Sequence, residues 1–315
     1  MALPTSTFAT YQAIGNREDL SDDIWKISPT ETPFFSAVDK VKATAVLHEW
    51  QTQALASVDT ANAVLEGDDA TTDAVTPTVR LTNVCQISDK VARVTGTQQS
   101  VEHAGRDDEL AYQEMLMGQA LKIDVDTILC GTNQTKVTGD TTTARKTASI
   151  LSWIATNDVH VGTSPTTSGS VTRVDGTQRA FTEAQLKSCF QLIWTEGGKP
   201  DMILVGGFNK QVFSTFTGRA TPMEDTKSKK IVASVDAYES DFGTVKVMAS
   251  RNVRSRDCLV LESDKWAIAH LNGRKMVSTP LAVTGDSRRK QLLTEYALVS
   301  RNEKASGGVF DLTTS

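Results

Sequence analysis

No stretch of this sequence approaches the roughly 18 consecutive apolar residues that a membrane-crossing helix requires, so no span is expected. Met1 to Thr10 carries no basic cluster followed by an apolar stretch, which argues against a secretory signal and for a protein that stays in the cytoplasm where it is made. Cysteine is scarce. Cys85, Cys130, Cys189 and Cys258 are separated by long, irregular gaps with no C-x-x-C, so neither a zinc site nor a redox motif is indicated, and free, mostly buried thiols are expected. A surplus of positive charge is also missing. The net charge is −5, which excludes the basic footprint of a dedicated nucleic-acid binder.

Catalytic signatures are equally thin. His48-Glu49 would need a second histidine at residue 52 to make His-Glu-x-x-His, and that residue is Thr52. The remaining histidines, His103, His160 and His270, are far apart in sequence. Gly131 to Gly139 lacks the Gly-Lys-Ser/Thr ending of a phosphate-binding loop, and G-x-S-x-G is absent. Gly67-Asp68-Asp69 is three common turn residues. Ser287 to Lys290 matches S-x-x-K without its companion motifs, leaving a hydrolase built on Ser287 and Lys290 as a weak rival. Asp124 and Asp126 are two apart on a helix, hence on different faces, and make no metal pair. The expectation is a protein with no catalytic site, no cofactor and no metal.

What is present suffices for a folded protein. The chain has 315 residues, 39% hydrophobic and 23% charged, enough for one large domain or two modest ones. Near the start, Leu20, Ile24 and Ile27 repeat at helical spacing, as do Phe34, Val38 and Val41; Pro29 interrupts the two, and Thr32-Pro33 reads as an N-cap and first helical residue. Such short pieces cannot hold themselves up. Residues 44–54 alternate like a strand, with Val46, His48 and Trp50 on one face, and Thr78 to Ile87 forms a second strand-like run. Between them lies a polar stretch around Gly67, so the pair reads as a two-stranded ribbon, which is barely stable alone.

The strongest helix signal covers 106–130. Tyr112, Leu116, Ala120, Ile123 and Thr127 share a face that Met115, Leu121, Val125 and Ile128 widen; Asp107, Asp108 and Glu109 fill the first turn, and Gly131 is a C-cap. At 1.5 Å per residue this spine is about 36 Å long. Residues 132–177 hold 13 threonines around the apolar island Ile150, Leu151, Trp153 and Ile154, and predict loops and short extended pieces. An α/β passage follows. It has a capping box at Thr182 and Gln185, a helix face of Leu186, Cys189, Phe190 and Ile193, and a buried strand at Met202 to Val205. A helix with Phe208, Val212, Phe213 and Phe216 is stopped by Gly218. Strands are expected at Val245–Met248, Leu259–Leu261 and Trp266–Leu271; Arg288–Asn302 is read as a long strand on the alternation of Leu292, Tyr296 and Leu298, although Leu292, Leu293, Tyr296 and Ala297 would also suit a helix. Together these make an α+β protein.

Charge is patterned along the chain. From Ala43 to Val79 there is no lysine or arginine but six acids, Glu49, Asp59, Glu66, Asp68, Asp69 and Asp73. From Arg251 to Lys290, nine basic residues, among them Arg251, Arg254, Arg256, Arg288 and Arg289, face four acids. Two ordinary solvated surfaces would account for this. So would complementary surfaces that meet between subunits, where charge sets register and association rate.

Leu20-Ser-Asp-Asp-Ile-Trp-Lys-Ile-Ser-Pro-Thr-Glu-Thr-Pro-Phe34-Phe35, continuing to His48-Glu49-Trp50, resembles tailed-bacteriophage major capsid proteins of a podophage-type family. Asp241-Phe-Gly-Thr-Val-Lys-Val247, Thr284-Gly-Asp286 and Thr294 to Asn302 resemble that family's closing segment, in the same order. The resemblance implies the Hong Kong 97-type capsid fold. Its parts would be an N-terminal arm at 1–43, an extended β-hairpin loop at 44–88, a peripheral domain at 89–149 and 264–304, and an axial domain at 150–263 and 305–315. It further implies self-assembly into hexamers and pentamers of an icosahedral virion shell around double-stranded DNA, assembled in the host bacterial cytoplasm. Portal and scaffolding or decoration proteins would be partners, and contact with DNA would be non-specific. Because the arm begins almost at Met1, either a separate scaffold serves or none is needed; no covalent Lys–Asn crosslink is expected. The residues expected at contacts between copies are Phe34, Phe35, Trp50, Asp68, Asp69, Arg251, Arg254, Arg288 and Arg289. A tail or decoration subunit is the alternative.

Overall fold

Alternation in the strands and one long amphipathic helix decide the layering. The computed structural model describes residues 27–69, 72–73, 75–216 and 236–315. Leu20, Ile24 and Gly218 lie outside them, so the first expected helical face and the stop of the second α/β helix are not described. A short helix α1 (Pro33–Ala37) leads into strand β1 (Asp39–Ala43), then the ribbon pair β2 (Leu47–Thr52) and β3 (Val79–Val84), strand β4 (Gln86–Thr95), a helical turn α2 (Gly96–Ser100) and the spine α3 (Glu109–Cys130). After the threonine-rich loops come β5 (Asp158–Val159), α4 (Glu183–Thr195), β6 (Met202–Val205) and α5 (Gly207–Phe213). The chain closes with β7 (Ala237–Ser240), β8 (Gly243–Ala249), β9 (Cys258–Leu261), β10 (Trp266–Leu271), β11 (Val277–Pro280), β12 (Ser287–Ser300) and β13 (Gly307–Val309).

The strands form two mixed sheets and the ribbon. A five-stranded sheet runs β1-β10-β12-β11, with β4 also paired to β12; a six-stranded sheet runs β5-β13-β9-β6-β8-β7; β2 and β3 pair only with each other. The continuous apolar runs of β6 and β9 have a simple cause. Met202, Leu204, Leu259 and Leu261 point into a core shared with Trp153, Trp266, Ile268, Tyr296 and Leu298 of the five-stranded side. Ile203, Val205, Cys258 and Val260 point the other way, into a core with Leu186, Phe190 and Ile193 of α4. Strands covered on both faces lose their alternation. The shared core also takes Phe34 and Val38 from the arm and Val125 and Leu129 from the spine, so one apolar interior ties both sheets together.

Several expectations are met in place. The Thr182–Gln185 capping box forms with both reciprocal hydrogen bonds. The island at 150–154 is wholly buried around a 3-10 turn, and the 14-residue β12 is a single strand. Others need correcting. Helix α1 ends at Ala37, and Val41 lies on β1, which pairs in parallel with β10; Phe34, Val38 and Val41 therefore do not share a helical face. Helix α5 ends at Phe213, short of Phe216. On α3 the buried apolar positions are Leu110, Leu121, Val125, Leu129 and Cys130, whereas Tyr112, Leu116, Ala120, Ile123 and Thr127 are only half-buried. Apolar residues are so dense on this helix that two seams, about one residue apart, fit the same spacing. Gly131 does follow the helix, but at φ −110° it is right-handed. Glycine is required there because the Asn252 carbonyl lies where a side chain would begin, 1.8 Å from an added Cβ.

Candidate assembly surfaces

The ribbon is firmly rooted and free at its far end. β2 and β3 pair antiparallel from Leu47 opposite Val84 to Thr52 opposite Val79. Along β2, His48, Trp50 and Thr52 are half-buried and Leu47, Glu49 and Gln51 exposed, the alternation the sequence predicts. Trp50 fixes the root: its indole N–H donates to the Ser300 carbonyl at 2.7 Å, and its ring lies 5.6 Å from that of Trp153. Asn83, fully buried, donates to the Leu298 carbonyl (2.7 Å) and accepts from the backbone N–H groups of Val84 and Ala148 (both 2.9 Å). Beyond Thr52 the pairing stops. Residues 53–69 are exposed throughout, with a turn at Leu65–Asp68 in which Gly67 takes φ +86°. Leu55 is 97% exposed, Val58 91% and Leu65 79%. Asp68 and Asp69 sit in this bare tip.

The arm is held by a buried acid. Asp126, about one turn from the spine's C-terminal end and fully buried, accepts from the Phe35 N–H at 2.6 Å and from the Asn252 side-chain amide at 2.6 Å. Burial pushes its carboxyl above the usual range, against the pull of those two hydrogen bonds and Lys40. Lys40 donates to the carbonyls of Val38 (2.6 Å) and Phe35 and stands 4.7 Å over the Phe35 ring.

The nine residues expected at contacts between copies do not come together. Phe34 is fully buried in the chain's own core and has no surface left for a neighbour, which corrects its expected role. Trp50 and Phe35 pack half-buried on that core. Arg254 is engaged internally with Asp175 (2.6 Å) and Asp257 (3.0 Å). Arg251 and Arg288 are exposed, the first just past the end of β8 and the second on β12, so the basic window 251–290 divides between the two sheets. Arg289 donates to the Ala282 carbonyl at 2.9 Å. Sequence reading missed Arg93, which stands directly across from Arg289 in the β4–β12 ladder. It lies outside the basic window, and only the strand register brings it near.

Ser287 and Lys290 are three apart on a strand and so on opposite faces. Ser287 Oγ accepts from Arg93 and donates to the Thr284 carbonyl, while Lys290 pairs with Glu114 of the spine at 2.7 Å. That geometry offers no nucleophile–base pair. All four cysteines are buried free thiols, and burial raises each above its ordinary value, Cys85 to about 11.

Known proteins place this architecture. Residues 3–313 match the family model described as the SU10 major capsid protein. The major capsid protein of Escherichia phage Phieco32 is 29% identical, across 98% of this chain and 98% of its own. Among solved structures, the capsid asymmetric unit of cyanophage A-1(L) superposes with a TM-score of 0.65 at 13% identity, over 98% of this chain and 99% of that one. A chain from Gordonia phage Cozz gives 0.62 at 10% identity, over 99% and 98%. The holo-SrpI encapsulin complex of Synechococcus elongatus gives 0.59 at 11% identity, over 95% and 93%. These likenesses show the Hong Kong 97-type fold. The chain belongs to the SU10 major capsid protein family and is a shell-forming phage capsid subunit.

Proposed function

We propose that copies of this subunit join as hexamers and pentamers into an icosahedral shell enclosing double-stranded DNA, with the ribbon of each copy seated on the next. The observation that carries this is the bare tip at 53–69, whose Leu55, Val58 and Leu65 are exposed and find no partner among the described residues. Apolar surface of this kind is stabilised on burial by roughly 25 cal/mol per Å² before association costs. The division into an arm (1–43), extended loop (44–88), peripheral domain (89–149 and 264–304) and axial domain (150–263 and 305–315) is part of the same reading. The placement of β1 within the five-stranded sheet supports an arm whose last strand belongs to the peripheral part. Assembly takes place in the host cytoplasm, with portal and scaffolding or decoration proteins as partners, and the acidic chain meets DNA only non-specifically.

The acidic tip gives the test. Asp68→Lys with Asp69→Lys is expected to leave the subunit folded and to reduce closed shells seen by negative-stain electron microscopy. Assembly of the unaltered protein is expected to slow as salt rises from about 0.1 M to about 1 M, where the screening length falls from about 10 Å to about 3 Å. Full shell yield from the double variant, together with salt-independent assembly, would show that the tip's charge plays no part.

A further inference from the structure

Away from the ribbon, the six-stranded sheet ends at β7, and no described strand pairs with its outer edge. Sheets commonly blunt such an edge with lysine or proline. Ala237–Ser240 contains neither. A groove of about 640 Å³ runs between this edge and α4. Lys187, Gln191 and Trp194, spaced four and three apart on one face of α4, make one wall. Three consecutive residues of β7, Tyr238 to Ser240, make the other, with Asp241 and Phe242 of the hairpin that follows. Neighbouring side chains of a strand point to opposite faces, so a wall that uses each in turn follows the strand's edge.

The floor of the groove is closed by Tyr238, which is buried with its ring stacked on Phe190 at 6.0 Å. The rim is open. Trp194 is 60% exposed and Phe242 40%, with their rings 5.5 Å apart. Glu183 holds Lys187 at 2.8 Å and accepts from the Tyr238 hydroxyl at 3.4 Å. Glu239 and Asp241 are exposed and have no ion pair among the described residues. Three carboxylates therefore line the groove against one lysine, beside two uncovered aromatic faces. Carboxylates attract a cation, and ring faces attract it again while covering its methylene stem.

We infer that this groove docks an extended, lysine-bearing segment of a partner protein. The segment's main chain adds to the free edge of β7, and its alternate side chains enter the groove. There a lysine lays its stem on Trp194 and Phe242 and its ammonium against Glu239 and Asp241. Each observation asks for a different part of that occupant: the edge for an extended main chain, the rings for an apolar stem, the acids for a positive charge. The four residues of β7 give the added strand about 13 Å of pairing. The ribbon tip of a second copy does not qualify, because residues 53–69 carry four acids and no lysine or arginine, and like charge repels it. The inference is independent of how copies of this chain join.

The test uses a fluorescein-labelled peptide of alternating lysine and valine. It is titrated by anisotropy against the full-length chain, as dissociated subunits and as closed shells, in about 0.1 M salt. The peptide is expected to saturate at one per subunit in both states. Trp194→Ala with Phe242→Ala, and separately Glu239→Gln with Asp241→Asn, are each expected to weaken binding about tenfold without lowering the thermal midpoint of the subunit. The same peptide with glutamate in place of lysine is expected not to bind. No saturation up to about 1 mM, or variants that bind as well as the unaltered chain, would overturn the groove as a docking site. Binding to subunits that is lost in closed shells would assign the groove to a contact between copies and overturn the outside partner. Displacement of the peptide by an equal concentration of cadaverine would show that a free amine suffices and overturn the added strand. Should the alanine variant not fold, Glu239→Gln with Asp241→Asn, which leaves both rings in place, decides alone.

Discussion

At the scale of single residues, the most constrained position is Asp311. It is buried, holds a left-handed backbone at φ +61°, and accepts from the N–H groups of Val161 (3.0 Å), Gly162 (2.9 Å) and Gly176 (2.8 Å) and from Arg256 (2.7 Å). Burial works to raise its carboxyl, but these donors outweigh burial and hold it at about 2. Its contribution to stability is complete above the unfolded value of about 3.9 and is lost as pH falls from there through the folded value. Asp311→Asn should cost about 2 kcal/mol in chemical denaturation at neutral pH, by weakening charged hydrogen bonds, and should flatten the acid limb of the stability profile. Gly131→Ala is expected to cost about 1–3 kcal/mol, because the Asn252 carbonyl must be displaced. That effect should be visible as a lower midpoint with an unchanged slope.

Among elements, the arm helix and the ribbon depend on a few fixings each. Five residues of helix have no stability of their own. Removing the Asp126 carboxylate leaves the half-buried Phe35 N–H without its acceptor and the Asn252 amide with the Glu31 carbonyl at 3.1 Å alone. Asp126→Ala should therefore cost about 2–3 kcal/mol and quicken hydrogen exchange at 34–43 before it quickens exchange in β12. Much at this scale was legible in the sequence. The spine's extent, the capping box and the two-faced strands all follow from local periodicity and end signals, whereas the apolar pattern of β12 fits a helix as well as the strand it forms. The short strands β7, β11 and β13 did not announce themselves, since three or four residues carry too little pattern. The seam of α3 was misplaced by about one residue because a second apolar stripe runs beside the first. The partition of Phe34 inward and Phe35 toward Lys40 and His270 was likewise hidden, since neighbouring phenylalanines look alike until the tertiary fold separates them. Arg93 needed the β4–β12 register, which no spacing within either strand reveals.

For the whole molecule, the shared core predicts a rigid body bearing a loose extension. Limited proteolysis of dilute subunits should cut first between Gln53 and Asp69, leaving the core intact, whereas assembled shells should resist at that site. Equal cleavage in both states would mean that the tip stays uncovered after assembly. The interior also decides how such a particle meets its chemical surroundings. Every sulfhydryl the sequence possesses is sealed inside and held in its unreactive, protonated form. A wall repeated from this unit is thus silent toward oxidants and alkylating dyes, and one cysteine installed on the outer skin would become its only point of covalent attachment, multiplied by the number of copies.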